Sequence, residues 1–270
     1  MPSGLRERVL TALLLAAAVI LILFWLPPGV AVLAVMFVVA VGAWEWAGLA
    51  GLKTPVARAG YTGALGLATA LAWGQTADVA PRIAFLWVAA TWWLLALVWV
   101  ATAPGRGGPR AAAVAGFLVL VPAAVALGRL VTLEPNGQTL LLFLLVLIAA
   151  ADVGAYFGGR RFGRRKLAPR VSPGKTWEGL VAGFAGAGLA AVAGGLLLGY
   201  PVLPWLGVCL LVALVSVVGD LTESMFKRRA GVKDSSSLLP GHGGVLDRLD
   251  SVSAAGPVFL LGLYLLGVAG

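Results

Sequence analysis

Apolar runs of about twenty residues recur along the whole chain, and this pattern constrains the fold more than any other feature. An α-helix needs about 20 mostly apolar residues to cross the hydrocarbon core of a bilayer. Charged residues make up only 11% of the chain, whereas a soluble domain carries about 25%. The pattern predicts an all-α, polytopic integral membrane protein with about nine transmembrane helices, near residues 9–26, 30–50, 60–74, 83–101, 111–132, 139–159, 177–199, 202–225 and 252–269.

The basic residues are concentrated in alternate loops. With nine spans and an inner N-terminus, all 20 lysines and arginines except Arg82 and Arg129 fall on one side. Cytoplasmic loops carry an excess of Lys and Arg, so the split predicts a cytoplasmic N-terminus and an external C-terminus. The expected location is the plasma (inner) membrane. The formal net charge of +9 lies in these short loops, which argues against nucleic acid and for anionic lipid and anionic substrates.

Acidic residues gather at the predicted cytoplasmic ends of the helices. Asp78 and Glu134 lie on predicted outer loops, and Glu7 accompanies the N-terminal arginines. The other eight acids all map to the cytoplasmic third of the protein. A carboxylate inside a bilayer costs about 2.5–3.5 kcal/mol on insertion scales, so such a residue faces a protein interior or a cavity. A structural ion pair between helices is the alternative for any one of them. Spacing of i, i+3, i+4 and i+7 places four polar residues on one helix face: Asp220, Glu223, Ser224 and Lys227.

The polar segment after the sixth predicted span carries two signals. Its basic residues between 160 and 166 would suffice as a cytoplasmic stop signal. That role does not explain the following Ser172-Pro173-Gly174-Lys175-Thr176. The segment is not a nucleotide-binding P-loop, because Pro169 stands where the first glycine is required. We predict that its hydroxyls, its lysine and the N–H groups at the start of the next helix favour phosphate.

The segment after the eighth span combines carboxylates with glycines. Glycines let backbone N–H groups approach an anion closely, and Gly243 and Gly244 suit that task. Magnesium takes one or two carboxylates together with phosphate oxygens and water. Asp220 and Asp247 fit that demand, so the pattern predicts a magnesium and phosphate site.

Cations and a histidine accompany these carboxylates. Lys227, Arg228 and Lys233 can neutralise phosphate charge that a metal does not reach. His242 is the only histidine, so a zinc cluster is excluded. A structural hydrogen bond and a phosphate contact both remain open for it.

These two polar segments resemble the phosphatidate cytidylyltransferases, the CDP-diacylglycerol synthases. In the second segment the matching residues are Ser224, Lys227, Arg228, Lys233, Asp234, Pro240, His242, Gly243, Gly244, Asp247, Arg248 and Asp250. In the first they are Tyr156-Phe157, Gly159-Arg160, Phe162-Gly163, Ser172-Pro173, Lys175-Thr176 and Glu178-Gly179. Upstream of Asp152 the resemblance rests on hydropathy alone.

The resemblance implies transfer of CMP from CTP to phosphatidate, which gives CDP-diacylglycerol and pyrophosphate. It also implies Mg²⁺, with a second cation left open, an all-helical membrane fold and a homodimer. The family's metal-binding acids carry over to Asp220 and Asp247, and we add Asp250 and Glu223 as further ligands. The residues expected in catalysis are Asp220, Lys227, Arg228, Lys233, Asp234, Asp247 and Arg248. Those expected to bind substrate are Asp152, Arg160, Ser172, Lys175, Thr176, Ser224, His242, Gly243 and Gly244.

We predict two parts along the chain: N-terminal transmembrane helices in 1–110 and catalytic helices in 111–270. The active-site loops would be 160–176 and 226–251.

Two other functions fit parts of the sequence. A CTP-dependent lipid kinase of the polyprenol type would use the same nucleotide and metal but release CDP. The full C-terminal signature favours cytidylyl transfer. An ion-coupled transporter could use Asp152, Asp220 and Glu223 as intramembrane ion sites. Transporters place such residues near the midplane between repeated halves, however, and the sequence shows no repeat.

Overall fold

A computed structural model of the chain describes residues 3–241 and 243–269, with side chains described from Thr11 onward. His242 lies outside the described residues, so its role stays a prediction. The described residues form nine helices: α1 (Ser3–Trp25), α2 (Pro28–Leu49), α3 (Pro55–Gln75), α4 (Val79–Thr102), α5 (Pro109–Val131), α6 (Gly137–Phe162), α7 (Trp177–Leu198), α8 (Val202–Arg229) and α9 (Leu246–Leu265). Two short strands, β1 (Lys166–Ala168) and β2 (Ser172–Thr176), form an antiparallel hairpin.

Each predicted span overlaps one helix, and the all-α class is confirmed. Within the described part of the chain, six helices are long and apolar enough to cross a membrane: α2, α4, α5, α6, α7 and α8. Helix α1 adds a shorter apolar stretch, Thr11–Trp25. These helices fit a polytopic membrane protein, whereas the number of nine spans and the orientation of the termini stay predictions. The β1–β2 hairpin was not predicted.

The chain divides into two compact units, each built from separate stretches of sequence. The first unit contains Met1–Gln75, Gly107–Leu142 and Phe226–Leu249. The second contains Thr76–Arg106, Phe143–Met225 and Asp250–Gly270. The division into 1–110 and 111–270 that the sequence suggested stays a prediction.

The core of the first unit is formed by α2, α3 and α5, which pack against one another. Small residues let the aromatic side chains of α2 and α3 reach the backbone of α5. The Trp46 indole N–H donates to the Ala112 carbonyl at 2.7 Å, and the Tyr61 hydroxyl donates to the Ala113 carbonyl at 2.8 Å. Buried tryptophan and tyrosine need such partners for their polar atoms. These bonds fix the end of α2 that carries the site described below.

The core of the second unit depends on close approach of α6 and α7. A Cβ at Gly154 would lie 2.6 Å from the Ala182 carbonyl oxygen, and one at Gly186 would lie 2.5 Å from that of Ala150. Small residues at such spacings let helix backbones approach closely in membrane proteins. Trp205 is completely buried and donates to the Ala191 carbonyl at 3.0 Å. The α6–α7 pair positions the hairpin that joins the two helices.

Candidate active site

Asp247 organises the loop between α8 and α9 in the first unit. Its Oδ1 accepts a hydrogen bond from Lys227 Nζ at 2.6 Å. Its Oδ2 accepts from the Ser235 N–H at 2.9 Å, from the Ser235 hydroxyl at 2.9 Å and from the Gly244 N–H at 2.7 Å. The carboxylate also lies in the first turn of α9, where the helix dipole favours negative charge. One side chain therefore joins the end of α8, the loop and the start of α9.

The Lys227–Asp247 pair is buried, and each residue is 7% exposed. Burial alone would raise the pKa of Asp247, but hydrogen bonds from Lys227, Gly244 and Ser235 outweigh it and hold that pKa below its usual value. Asp247 is therefore ionised at neutral pH. Its contribution to stability is present above the unfolded-state pKa of about 3.9 and is lost as pH falls through the lower folded-state pKa.

Gly243 and Gly244 have a structural explanation within this loop. Gly243 has a φ of +83°, and a Cβ there would lie 2.8 Å from Asp247 Oδ2. A Cβ at Gly244 would lie 2.6 Å from Glu45 Oε2 and would overlap the Ser235 hydroxyl. The anion that the Gly244 N–H contacts is the protein's own Asp247 carboxylate. Substrate binding by the two glycines stays a prediction.

Gly244→Ala is expected to destabilise the protein by about 1–3 kcal/mol, the usual cost of forcing an extra methyl into a packed site. The added carbon would displace both Glu45 and Ser235. Thermal unfolding in detergent measures the effect, with Gly207→Ala as the control because a Cβ there meets nothing within 4 Å. Equal unfolding temperatures for the two variants would contradict the packing described here.

Glu45, near the C-terminal end of α2, is a second carboxylate that contacts this loop, and it was missed as a site residue. It is 5% exposed. Its Oε1 accepts from the Ser236 hydroxyl at 2.5 Å and the Val245 N–H at 3.2 Å. Its Oε2 accepts from the Ser235 hydroxyl at 3.0 Å and the Leu246 N–H at 2.7 Å. The only signal in the sequence was a carboxylate inside an apolar run.

The remaining charged residues predicted for this loop lie on its surface. Arg228, Lys233, Asp234 and Arg248 are all exposed. Three of them, Arg228, Lys233 and Arg248, are cations that can contact an anion in solvent. The first unit thus combines a buried, hydrogen-bonded network around Asp247 and Glu45 with exposed basic residues, Arg228, Lys233 and Arg248, which we call the basic rim.

Asp220 lies in the second unit and forms an ion pair with Lys175. Lys175 Nζ lies 2.6 Å from Asp220 Oδ2, and the side chains are 26% and 27% exposed. The Ser224 hydroxyl donates to Asp220 Oδ1 at 3.1 Å. The predicted shared helix face is therefore confirmed for Asp220 and Ser224. The lysine predicted to bind phosphate is held beside one of the predicted metal ligands.

The β1–β2 hairpin fixes where Lys175 lies. Lys166 is opposite Thr176, and Ala168 is opposite Ser172. The Thr176 side chain caps α7 by accepting from the Gly179 N–H at 3.1 Å. N-cap threonines satisfy donors that the first helical turn leaves unpaired. Thr176 thus has a structural role, while Ser172 and Lys175 are carried on the strand that leads into the helix.

A cavity of about 390 Å³ in the second unit brings four of the predicted substrate residues together: Asp152, Arg160, Lys175 and Thr176. The Arg160 guanidinium donates to the Tyr156 hydroxyl at 2.9 Å on the same wall. Ala151, Ala155, Leu180, Phe184 and Val217 are among its apolar walls. Small-molecule sites are typically apolar cavities with a few convergent polar groups. Its lining thus combines two cations, Arg160 and Lys175, and one carboxylate, Asp152, with apolar walls. The cations can bind an anionic group, and the apolar walls suit an amphiphile.

The fit to magnesium differs between the two predicted aspartate ligands. Among the described residues, no group of three or more His, Cys, Asp or Glu side chains is arranged to hold a metal ion. Asp220 is partly exposed, and each of its oxygens accepts from one donor among the described residues, so lone pairs remain for a hard cation. Both oxygens of the buried Asp247 are already hydrogen-bonded. Asp220 belongs to the second unit and Asp247 to the first, and a shared ion stays a prediction.

Two further predicted ligands lie in the second unit. Glu223 is 2% exposed on α8. Asp250 is half-buried at the start of α9, and its Oδ1 accepts from the Ser251 N–H at 2.6 Å. A Cβ at Gly219 would overlap the Asp250 carbonyl oxygen, which lets α8 and α9 pack closely there. Their role as metal ligands stays a prediction.

Comparison with known proteins covers nearly the whole chain. Residues 6–266 match the model of a family described as the cytidylyltransferase family. The chain is 44% identical to a phosphatidate cytidylyltransferase of Pseudomonas aeruginosa over 273 residues, covering 97% of this chain and 98% of the relative. It is 41% identical to the phosphatidate cytidylyltransferase of Haemophilus influenzae, over 94% of this chain and 97% of the relative. It is 39% identical to that of Brucella suis, over 98% of this chain and 94% of the relative. The similarity extends well upstream of Asp152, through the helix that carries Glu45.

Proposed function

Because the chain belongs to the cytidylyltransferase family, we propose that it is a membrane-embedded phosphatidate cytidylyltransferase. It transfers CMP from CTP to phosphatidate and yields CDP-diacylglycerol and pyrophosphate. The observation that carries the proposal is the similarity to relatives of that name over nearly their full length. The cavity in the second unit supports it, because phosphatidate is itself an anionic amphiphile.

The reaction is a substitution at the α-phosphorus of CTP. A phosphate oxygen of phosphatidate forms a bond to that phosphorus, and the bond to the bridging oxygen of the β-phosphate breaks. Pyrophosphate leaves with the electron pair. The nucleophile arrives already ionised, so a general base is not required. Catalysis of phosphoryl transfer rests mainly on positioning and charge neutralisation.

Arg160 and Lys175 are the residues that we assign to the lipid phosphate. Both line the cavity, and its apolar walls can pack against the first methylene groups of the acyl chains while the rest of those chains stays in the bilayer. Lys175 is held by Asp220 through one short ion pair. An incoming phosphate can compete for that ammonium, since a phosphate carries more negative charge than one carboxylate.

The basic rim of the first unit is assigned to the CTP triphosphate. Arg228, Lys233 and Arg248 are exposed there and can balance the charge that builds up on pyrophosphate. Lys227 is buried against Asp247 and instead keeps the loop in shape. The N–H groups of Ser235, Gly244, Val245 and Leu246 already donate to Asp247 or Glu45, so we assign charge neutralisation to the side chains of the rim.

We also propose that magnesium is the cation that binds together with CTP. Asp220 is the ligand that its exposure and remaining lone pairs favour, with Asp247, Asp250 and Glu223 as further ligands and room for a second cation. When bound, magnesium would stabilise charge on the phosphate oxygens.

The proposal also includes a homodimer in the inner membrane, with both polar segments facing the cytoplasm, where CTP is present.

The leaving group tests this function against a lipid kinase. Purified protein in detergent is incubated with CTP, magnesium and phosphatidate, and the soluble products are separated. We expect pyrophosphate to appear in proportion to the phosphatidate consumed. A parallel reaction contains a polyprenol in place of phosphatidate. Release of CDP with phosphorylation of that alcohol would overturn the assignment and favour a CTP-dependent kinase.

A further inference from the structure

We propose that Glu45 is a positioning residue for cytidylyl transfer, acting from α2 on the loop that carries Asp247. The inference rests on the proposed function, because it concerns the same reaction. Glu45 is separated from its loop partners by 190 to 201 residues of sequence. The structure nevertheless brings it into the first unit beside them.

The geometry of the four bonds supports a positioning role. Glu45 accepts from two side-chain hydroxyls, Ser235 and Ser236, and from two backbone N–H groups, Val245 and Leu246. The backbone pair belongs to the start of α9, where N–H groups have no partner within the helix. Glu45 thus caps the helix that carries Asp247 and holds the middle of the loop at the same time.

Ser235 connects the two carboxylates directly. Its hydroxyl lies 3.0 Å from Glu45 Oε2 and 2.9 Å from Asp247 Oδ2. A serine hydroxyl has one hydrogen, so it can donate to only one carboxylate at a time. The Ser235 N–H still binds Asp247 when the hydroxyl turns to Glu45. The position of Asp247 is therefore coupled to that of Glu45 through one residue.

The same face of α2 also packs against both ends of the loop. The Trp46 ring lies 5.4 Å from the Phe226 ring, one residue before Lys227. A Cβ at Gly42 would lie 3.0 Å from Leu249 and 3.7 Å from Leu246. Residues spaced i, i+3 and i+4 share a helix face, so α2 presents a glycine, a carboxylate and a tryptophan to one loop.

Glu45 is not placed to contact substrate. It is 5% exposed and both oxygens are satisfied by the protein. Its four donors explain why a carboxylate is required. A glutamine has one acceptor oxygen, and its NH₂ group would face backbone N–H donors. Removing a partner from buried donors leaves them unsatisfied, which shifts the loop.

The test compares Glu45→Gln with Glu45→Asp and with Glu134→Gln as the matched control, because Glu134 is exposed on another loop. For Glu45→Gln we expect kcat to fall about 10- to 100-fold, the scale of a displaced catalytic group. The KM values for CTP and phosphatidate should change less than about threefold, because substrate contacts are not removed. Glu45→Asp keeps the charge and both oxygens and should retain more activity than Glu45→Gln.

Hydrogen exchange on the full-length protein supplies a readout that a general loss of stability would not reproduce. Amides in peptides covering 235–246 should exchange faster in Glu45→Gln, while α5 peptides keep wild-type exchange. A normal kcat, or faster exchange spread equally over α5, would overturn the inference. If Glu45→Gln does not fold, Ser236→Ala provides the test, because it removes a single hydrogen bond to Glu45. An unchanged kcat together with unchanged exchange of the loop amides in Ser236→Ala would refute the positioning role of Glu45. Failure of the wild-type protein to form CDP-lipid would refute the proposed function. The exchange experiment would still show whether Glu45 holds the loop in place, because it does not depend on activity.

Discussion

Asp247→Asn is expected to remove at least about 99% of cytidylyl transfer, since displacement of a catalytic group by 1 Å can cost about 100-fold. It is also expected to destabilise the protein. The substitution leaves the buried Lys227 ammonium beside a neutral amide. Breaking a buried ion pair from one side costs about 3–5 kcal/mol. The rate of CDP-lipid formation and the unfolding temperature in the same detergent measure the two effects.

A double variant separates the effect of the uncompensated Lys227 charge on stability from the effect of the lost Asp247 carboxylate on activity. Asp247→Asn combined with Lys227→Met removes both charges and relieves the uncompensated ammonium. We expect this protein to regain much of the lost stability without regaining activity, because the loop donors still lack their carboxylate. Near-normal turnover of Asp247→Asn at ordinary magnesium concentration would contradict any role of Asp247 in the site.

Asp220→Asn is expected to have a different profile: activity falls by at least about 100-fold while stability hardly changes. The Lys175–Asp220 pair is about one quarter exposed, and solvent-exposed pairs contribute only about 0–1 kcal/mol. A large loss of rate with a small change in unfolding temperature would assign Asp220 to chemistry rather than to folding. The magnesium concentration that gives half of the maximal rate should rise, because the ion has lost a ligand.

Two variants control for this result. Asp78→Asn removes an exposed carboxylate elsewhere in the second unit and should keep the wild-type rate. Ser224→Ala removes the one hydrogen bond to Asp220 Oδ1 and should lower the rate far less than Asp220→Asn. If Asp220→Asn turns over CTP normally with an unchanged response to magnesium, Asp220 is not a metal ligand.

The helices could be predicted because their signal is local. A run of apolar residues bounded by Pro, Gly or charge predicts a membrane helix without knowledge of its neighbours. The Asp220–Ser224 bond was foreseeable for the same reason, since the two residues are four positions apart on α8. The hairpin was missed because its strands are only 3 and 5 residues long and the longer strand contains Pro and Gly.

The internal partners of the site could not be predicted, because they depend on tertiary packing. Glu45 meets Leu246 across 201 residues of sequence, and nothing near Glu45 indicates this. Gly244 needs to be small whether its N–H faces a phosphate or a carboxylate, so the sequence does not distinguish the two anions. Lys175 carries the charge that phosphate needs, and only the fold reveals that Asp220 holds it.

The fate of the α-phosphate of CTP tests the central claim most directly. Purified protein is incubated with magnesium, phosphatidate and CTP labelled either at the α- or at the γ-phosphate, and the lipid fraction is extracted. Cytidylyl transfer predicts that the α-label enters the lipid as CDP-diacylglycerol and that the γ-label stays in water as pyrophosphate. Lipid that carries the γ-label, or that carries neither label, would contradict it.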